Sequence, residues 1–355
     1  MFDRLRSFFR RAPEVTAEPA PAPEPGRVRG RVDHVVILDG TMSSLEPGHI
    51  GNAGLLFQLL HEAGVHAHRR LYYEPGMQWE GWLRGLALIE GRGIAPQIRR
   101  AYGWLASGYR EGDRIFLFGY SRGAFAVRSL AGVIDRVGLL KREHATERAV
   151  TLAWRHYERA PDSTAAQAFA RRFCHLEAPI EMVGVWDTVK ALGLRLPFFW
   201  LFAADRYAFH SHHLGASIRH GFHALALDET RMAFEPVLWD CPPGWEGNVE
   251  QVWFRGAHGD VGGQIGGFEP ARALSNIPLV WMLERAEALD LTLPEGWRDR
   301  YACDPEAPMV GTWKSWGKAF LWRRRRVIGR DRSERLHPTA TPTAGARWPR
   351  GLPAE

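Results

Sequence analysis

The chain has 355 residues, 45% of them hydrophobic and 24% charged, a globular composition that supports a sizeable core and excludes disorder throughout. Lys and Arg outnumber Asp and Glu by 46 to 40, a formal net charge of +6 that favours anionic partners. No zinc-finger spacing or other nucleic-acid motif accompanies that charge, so an anionic lipid surface ranks above nucleic acid as a partner.

Residues 1–11 read as a short basic amphipathic helix. Phe2, Leu5, Phe8 and Phe9 recur at helical spacing among Arg4, Arg6, Arg10 and Arg11. Such a helix can lie in the headgroup region of an anionic bilayer. The segment lacks the apolar core of a secretory signal. Residues 12–26, APEVTAEPAPAPEPG, are a Pro/Ala/Glu linker with nothing to pack into a core. A catalytic domain is expected over 27–340, followed by a loose Pro/Thr/Ala tail at 341–355. The three cysteines, Cys174, Cys241 and Cys303, are far apart and form no CxxC. They suit a reducing, cytoplasmic compartment rather than a disulfide scaffold or a structural zinc site. No run of 18 apolar residues exists, so any membrane contact is expected to be peripheral.

From residue 34 the pattern alternates strand and helix. HVVILDG (34–40), VHAHRRLYY (65–73), RIFLFGY (114–120), PIEMVGVWD (179–187) and QVWFRGAH (251–258) read as strands. Helices are predicted over 51–63, 96–110, 121–134, 143–173 and 278–289. Apolar strands separated by helices predict an α/β fold, a mostly parallel sheet with helices on both faces. Two stretches fit less well. Residues 192–213 are apolar and aromatic, and Pro197, Phe198, Phe199, Trp200, Leu201 and Phe202 are expected at a pocket mouth as a lid or acyl-chain wall, with a core helix as the alternative. In 311–326, Trp313, Trp316 and Phe320 recur at helical spacing before Arg323 to Arg326. They read either as a second interfacial surface or as cover for the core.

GYSRG (119–123) carries the chemistry. A GxSxG match needs a strand before it and a helix after it, so that the serine sits on a sharp turn. RIFLFGY precedes it and AFAVRSL follows it, which makes Ser121 the candidate nucleophile. A serine hydroxyl needs a base, and the base needs an orienting acid. Asp187 and His258 close apparent strands and give the chain order Ser, Asp, His. Parallel strands bring their carboxyl ends to one edge, where α/β sites form. Asp39 and Asp260 are competing or supporting acids, and His337 is a competing base. His210, His212 and His213 read as solvated surface rather than metal ligands. The oxyanion hole is expected from the N–H of Arg122 and from the turn at Gly40 and Thr41. Asp39 is suited to orient that turn. The Arg122 guanidinium suits either a phosphate contact or a structural salt bridge.

These residues also carry a resemblance. ILDGT, YREGDRIFLFGYSRGAFAVRSLAGVI, VGVWDTVKALG, HALALDETRMAFEPVLW and VWFRGAHGDVGG follow in the order of blocks of an α/β-hydrolase family that includes the catalytic domain of type VI secretion phospholipase effectors. The resemblance covers roughly 33–290. It implies a lipolytic serine hydrolase that needs no metal or organic cofactor, with Ser121, Asp187 and His258 at the matching positions. Two blocks depart from the family pattern. Met42 follows DGT where the family usually has Trp, and GGQIGGF (262–268) stands where GGGY is usual. Both lie near the expected pocket and leave substrate preference open. The implied function is cleavage of carboxylic esters of lipids, phospholipids foremost. A soluble esterase or thioesterase for small substrates and a non-catalytic membrane-associated scaffold are the other readings.

Overall fold

Continuous apolar runs become the strands of a single sheet. The computed structural model describes residues 30–64, 68–78, 94–189, 214–241, 247–313 and 322–340, with the backbone of Thr16–Ala17. In chain order the elements are β1 (Thr16–Ala17), β2 (Asp33–Leu38), α1 (Asn52–Glu62), β3 (Arg69–Glu74), α2 (Ile94–Gly108), β4 (Arg114–Tyr120) and α3 (Arg122–Val137). There follow α4 (Glu147–Arg159), α5 (Thr164–Phe173), β5 (Ile180–Trp186), β6 (Ile218–Ala226), β7 (Asn248–Phe254), α6 (His258–Gly262), α7 (Arg272–Ala288) and β8 (Glu334–Leu336). The strand order is β1-β3-β2-β4-β5-β6-β7-β8. All neighbours are parallel except β1 and β3, where Thr16 and Ala17 of the Pro-rich segment pair antiparallel with Tyr73 and Tyr72.

Side chains two apart on a strand share a face. Val36, Leu38, Leu117 and Val183 therefore pack on one side with α2, α3, α4 and α5. Val35, Ile37, Phe116, Phe118 and Trp186 pack on the other side with α1 and α7. Both faces are buried, which is why these strands read as unbroken apolar runs. The result is an α/β-hydrolase fold.

Several boundaries differ from expectation for local reasons. The helical stretch 143–173 is two helices, separated around Pro161 and each opened by a hydroxyl cap: Thr146 Oγ1 accepts from Ala149 N and Ser163 Oγ from Ala166 N, both at 3.2 Å. The strand expected at 65–73 runs Arg69–Glu74. Helix α7 begins at Arg272, well before 278, and carries Pro278 in its interior. Strand β7 ends at Phe254, so His258 does not close it. The chain leaves the sheet through Gly256 at φ 117°, and His258 opens α6. Strands β6 and β8 lie outside the predicted strands, as does β1, which adds two residues of the expected linker to the sheet edge.

The segment 1–11, the aromatic run 197–202, His210, His212, His213, Trp316, Phe320 and the tail 341–355 lie outside the described residues. Among the described residues no helix is long and apolar enough to cross a membrane.

Candidate active site

Ser121 sits between the last residue of β4 and the first of α3, with φ 56° and ψ −116°. A non-glycine residue pays strain for such a conformation, and it persists only where its surroundings enforce it. Two glycines make the turn possible. A Cβ on Gly123 would lie 2.1 Å from Leu38 O, and one on Gly119 would lie 2.6 Å from Gly123 O. The helix can therefore lean directly on β2. The Ser121 N–H donates to Trp186 O at 3.0 Å, which ties the turn to the neighbouring strand.

Asp187 follows β5 with φ 41° and is fully buried. Its Oδ2 lies 2.6 Å from His258 Nδ1, and His258 Nε2 lies 2.8 Å from Ser121 Oγ. An ionised carboxylate only accepts, so Nδ1 is the donor and Nε2 is left to accept the serine proton. Asp187 Oδ1 also accepts from Ala226 N at 2.9 Å. Arg326 grips the same carboxylate, Nη1 to Oδ1 at 2.5 Å and Nη2 to Oδ2 at 2.8 Å. Burial pushes the Asp187 carboxyl up, but the charge and hydrogen bonds of Arg326, joined by His258, outweigh it and hold the group well below the usual carboxylate range. The imidazole packs against the rings of Tyr120 and Phe234, at 4.9 and 4.7 Å between centroids.

A family profile described as "T6SS, Phospholipase effector Tle1-like, catalytic domain" matches residues 33–285, which hold all three of these groups. The chain belongs to this family. An uncharacterized protein of Saccharomyces cerevisiae, YEL023C, is 30% identical over 235 residues, 59% of this chain and 33% of that protein. The chain thus spans about one third of the length of this curated relative. Among solved structures, an uncharacterized protein from Pseudomonas aeruginosa is 17% identical, with TM-score 0.47 over 77% of this chain and 49% of that one. The Tle1 effector bound to the VgrG spike of the Type 6 secretion system is 17% identical, with TM-score 0.39 over 71% and 57%. An esterase from the Planctomycetes species Thermogutta terrifontis is 12% identical, with TM-score 0.41 over 80% and 95%. These overlaps are partial, and the fold is read from the chain's own strand order.

In this Tle1-like domain the turn after β2 packs closely on Tyr120, the residue before Ser121. A Cβ on Gly40 would lie 2.3 Å from Tyr120 Cδ1, so only glycine fits. Within this turn, expected to supply an oxyanion donor, the Gly40 N–H donates to Asp39 Oδ1 at 2.7 Å. Thr41 offers a different donor: its hydroxyl is buried with no partner among the described residues, while its carbonyl accepts from Gln264 Nε2 at 2.9 Å. Arg122 opens α3, and burial pushes its guanidinium down to about 10. Asp260, a competing acid by sequence, serves the backbone around His258. Its Oδ2 accepts from Ala257 N at 2.9 Å and Gly311 N at 3.1 Å, and its Oδ1 from Val310 N at 2.6 Å. His337 is engaged elsewhere, with Nδ1 2.7 Å from Thr339 Oγ1 and its ring stacked on Phe254.

Asp39 is buried beneath this turn, where Tyr73 donates to its Oδ2 at 2.8 Å. Burial pushes its carboxyl up to about 6, against the hydrogen bonds from Tyr73 and Gly40. The folded chain therefore keeps a proton there that the unfolded chain gives up at lower pH. Below about pH 4 both states are protonated and the group contributes nothing. As pH rises to about 6 the buried charge comes to cost up to ~3 kcal/mol. Asparagine can offer its carbonyl to Gly40 and its amide to the Tyr73 oxygen. Asp39→Asn is accordingly expected to raise the melting temperature at about pH 8 and to change it little near pH 4, as read by calorimetry at both values. An equal change at both would show that the buried charge is not the cause.

Arg326 was hidden by its sequence neighbours. Arg323 to Arg326 read as one basic surface, but residues 322–327 form an extended strap lying along 230–236. Met232 N donates to Trp322 O at 3.1 Å and Arg324 N to Thr230 O at 2.7 Å. Only part of the run faces solvent. Arg324 and Arg325 are exposed, Arg326 turns in to Asp187, and Arg323 lies over the Trp313 ring and donates to Thr312 Oγ1 at 2.8 Å. Glu229 and Arg231 were also missed. The buried Glu229 accepts the His258 N–H at 3.2 Å and pairs with Arg231 at 2.6 Å. The block HALALDETRMAF holds both residues, but nothing in its pattern marks them as neighbours of the histidine.

Proposed function

We propose that this chain is a serine-dependent hydrolase of carboxylic esters acting on lipids, phospholipids foremost. The observation that carries the reading is the hydrogen-bonded line from Asp187 through His258 to Ser121, with Ser121 held in a strained strand-to-helix turn. Ser121 Oγ attacks the ester carbonyl carbon while His258 Nε2 takes its proton. The tetrahedral oxyanion is stabilised by the N–H at the start of α3 and by the Thr41 side of the facing turn. The C–O bond to the alcohol then breaks, His258 returns the proton to the leaving oxygen, and an acyl ester remains on Ser121. Water, deprotonated by His258, attacks that ester and frees the acid. None of these steps needs a metal ion or organic cofactor.

The family and one surface support a lipid substrate. Trp313, Trp322 and Val327 are among the exposed large apolar side chains. Trp322 and Val327 flank the exposed Arg324 and Arg325 on the strap that reaches Asp187, and Trp313 lies beneath Arg323 of the same strap. Aromatic rings beside arginines suit an anionic headgroup layer, where each basic residue is worth about 1 kcal/mol. Residues 1–11 are proposed to add a second basic amphipathic contact, joined to the 27–340 catalytic domain through the Pro-rich segment.

The test is hydrolysis of a zwitterionic and anionic phospholipid panel, each presented as short-chain monomers and as vesicles. The expected result is a rate that climbs severalfold when vesicles form, most for anionic ones. A rate that saturates on monomers with no further rise would leave a small-ester hydrolase. No hydrolysis of any ester, with no labelling by a fluorophosphonate probe, would remove the hydrolase reading.

A further inference from the structure

We propose that Arg326 is a positioning residue of this site, holding Asp187 ionised and correctly turned towards His258; the proposal rests on the reading of Ser121, His258 and Asp187 as the reacting line. Arg326 lies outside the 33–285 family match and 139 residues after Asp187. Its side chain is only 4% exposed and its partner carboxylate is fully buried. A buried carboxylate without compensation takes up a proton, and a protonated Asp187 would accept more weakly from Nδ1 and bring no charge to stabilise an imidazolium. His258 supplies one hydrogen bond at Oδ2. The guanidinium supplies two and a permanent charge.

The contact is also geometric. The same two nitrogens that grip Asp187 donate to Ala226 O at 2.7 Å and Phe234 O at 2.5 Å. Four acceptors therefore surround one planar fork, an arrangement a lysine ammonium cannot reproduce. The fork sets the carboxylate plane so that Oδ2 faces Nδ1. Through Phe234 O it also fixes the residue whose ring packs on the imidazole. The strap itself is anchored, with Arg324 pairing Glu235 at 3.2 Å beside its backbone bonds to 230–232.

The charge has a kinetic consequence. A cation beside Asp187 opposes the uptake of a proton by the Asp187–His258 pair, whichever of the two holds it. Removing the cation must therefore move the acid limb of activity to higher pH. The other groups around the pair do not account for such a shift. Burial holds Tyr120, on β4, well above its ordinary value, and holds His223, on β6, down to about 3. Burial lowers Arg128, on α3, to about 9. Glu229 is buried, yet its pairing with Arg231 keeps it below its ordinary value. Burial pushes Asp39 up to about 6, but it is common to wild type and variant.

The experiment compares wild type, Arg326→Met and Arg326→Lys in the full chain on a soluble monomeric ester, which removes lipid binding from the readout. Arg326→Met is expected to lower kcat by ~10²-fold with KM little changed. Its kcat/KM acid limb is expected to rise by about one pH unit or more. Arg326→Lys keeps the charge but not the fork, so it should hold the limb near wild type while kcat still falls. A purely structural role would cut the active fraction and leave the limb in place, and that result overturns the proposal. If Arg326→Met does not fold, Arg326→Lys decides: wild-type kcat in that variant also overturns it. Failure of the underlying site reading shows separately, as full activity in Ser121→Ala.

Discussion

Ser121→Ala is expected to lower kcat/KM for every hydrolysed ester by ~10⁵-fold or more while the chain stays folded. In the proposed mechanism the hydroxyl forms the acyl ester, and His258 Nε2 points at Ser121 Oγ from 2.8 Å. The turn depends on Gly119 and Gly123, whose missing side chains let α3 meet β2, rather than on the hydroxyl. Losing the Oγ contact should cost only about 1 kcal/mol of stability. The checks are ester hydrolysis, covalent labelling by a fluorophosphonate, and a thermal melt of the same preparation. A variant that is stable yet retains activity within tenfold of wild type would place the nucleophile elsewhere. A variant that is unlabelled and inactive, with an unchanged melt, assigns the chemistry to this one oxygen.

The parts of the site that could be read from the residues are those where burial writes a simple pattern. Strands β2, β4 and β5 are covered on both faces, so their residues are almost uniformly apolar, and the residue after each reaches the shared carboxyl edge. Asp39, Ser121 and Asp187 were legible for that reason. Strand β6 was not, because Arg219, His220, Gly221 and His223 interrupt it. Its polarity is satisfied tertiarily: His223 Nε2 accepts from Thr188 N at 3.0 Å, one residue beyond the buried acid. Strand β8 has no apolar run at all. Glu334 fixes it by accepting from Gly329, Arg330 and Asp331 N–H groups and from Trp253 Nε1. Arg326 shows the same limit more sharply. A run of arginines says nothing about which member turns inward, and that choice is made by a strap pairing with residues about ninety positions earlier.

Asp187→Asn is expected to lower kcat by ~10⁴-fold with a much smaller effect on KM, and the hydrogen bonds around the side chain say why. The carboxylate receives four donors: Ala226 N and Arg326 Nη1 at Oδ1, and Arg326 Nη2 and His258 Nδ1 at Oδ2. An amide has one oxygen. Placed at the Oδ1 position it keeps Ala226 and one Arg326 nitrogen, and its NH₂ then faces His258 Nδ1. That nitrogen must become the acceptor, so the imidazole proton moves to Nε2 and points at Ser121 Oγ. The histidine can no longer take the serine proton. Placed at the Oδ2 position, the oxygen preserves the tautomer but sets the NH₂ against the Ala226 N–H and Arg326 Nη1. The first arrangement conflicts with one donor, Arg326 Nη2, and the second with two, so the wrong tautomer wins. Either way Arg326 loses its counter-charge in a buried site, which should cost about 3 kcal/mol of stability. Steady-state kinetics with denaturant melts check both effects, and nitrogen NMR of the imidazole checks the tautomer. Activity within tenfold of wild type, or a histidine that keeps its proton on Nδ1 in an inactive variant, would sink this account of what Asp187 does.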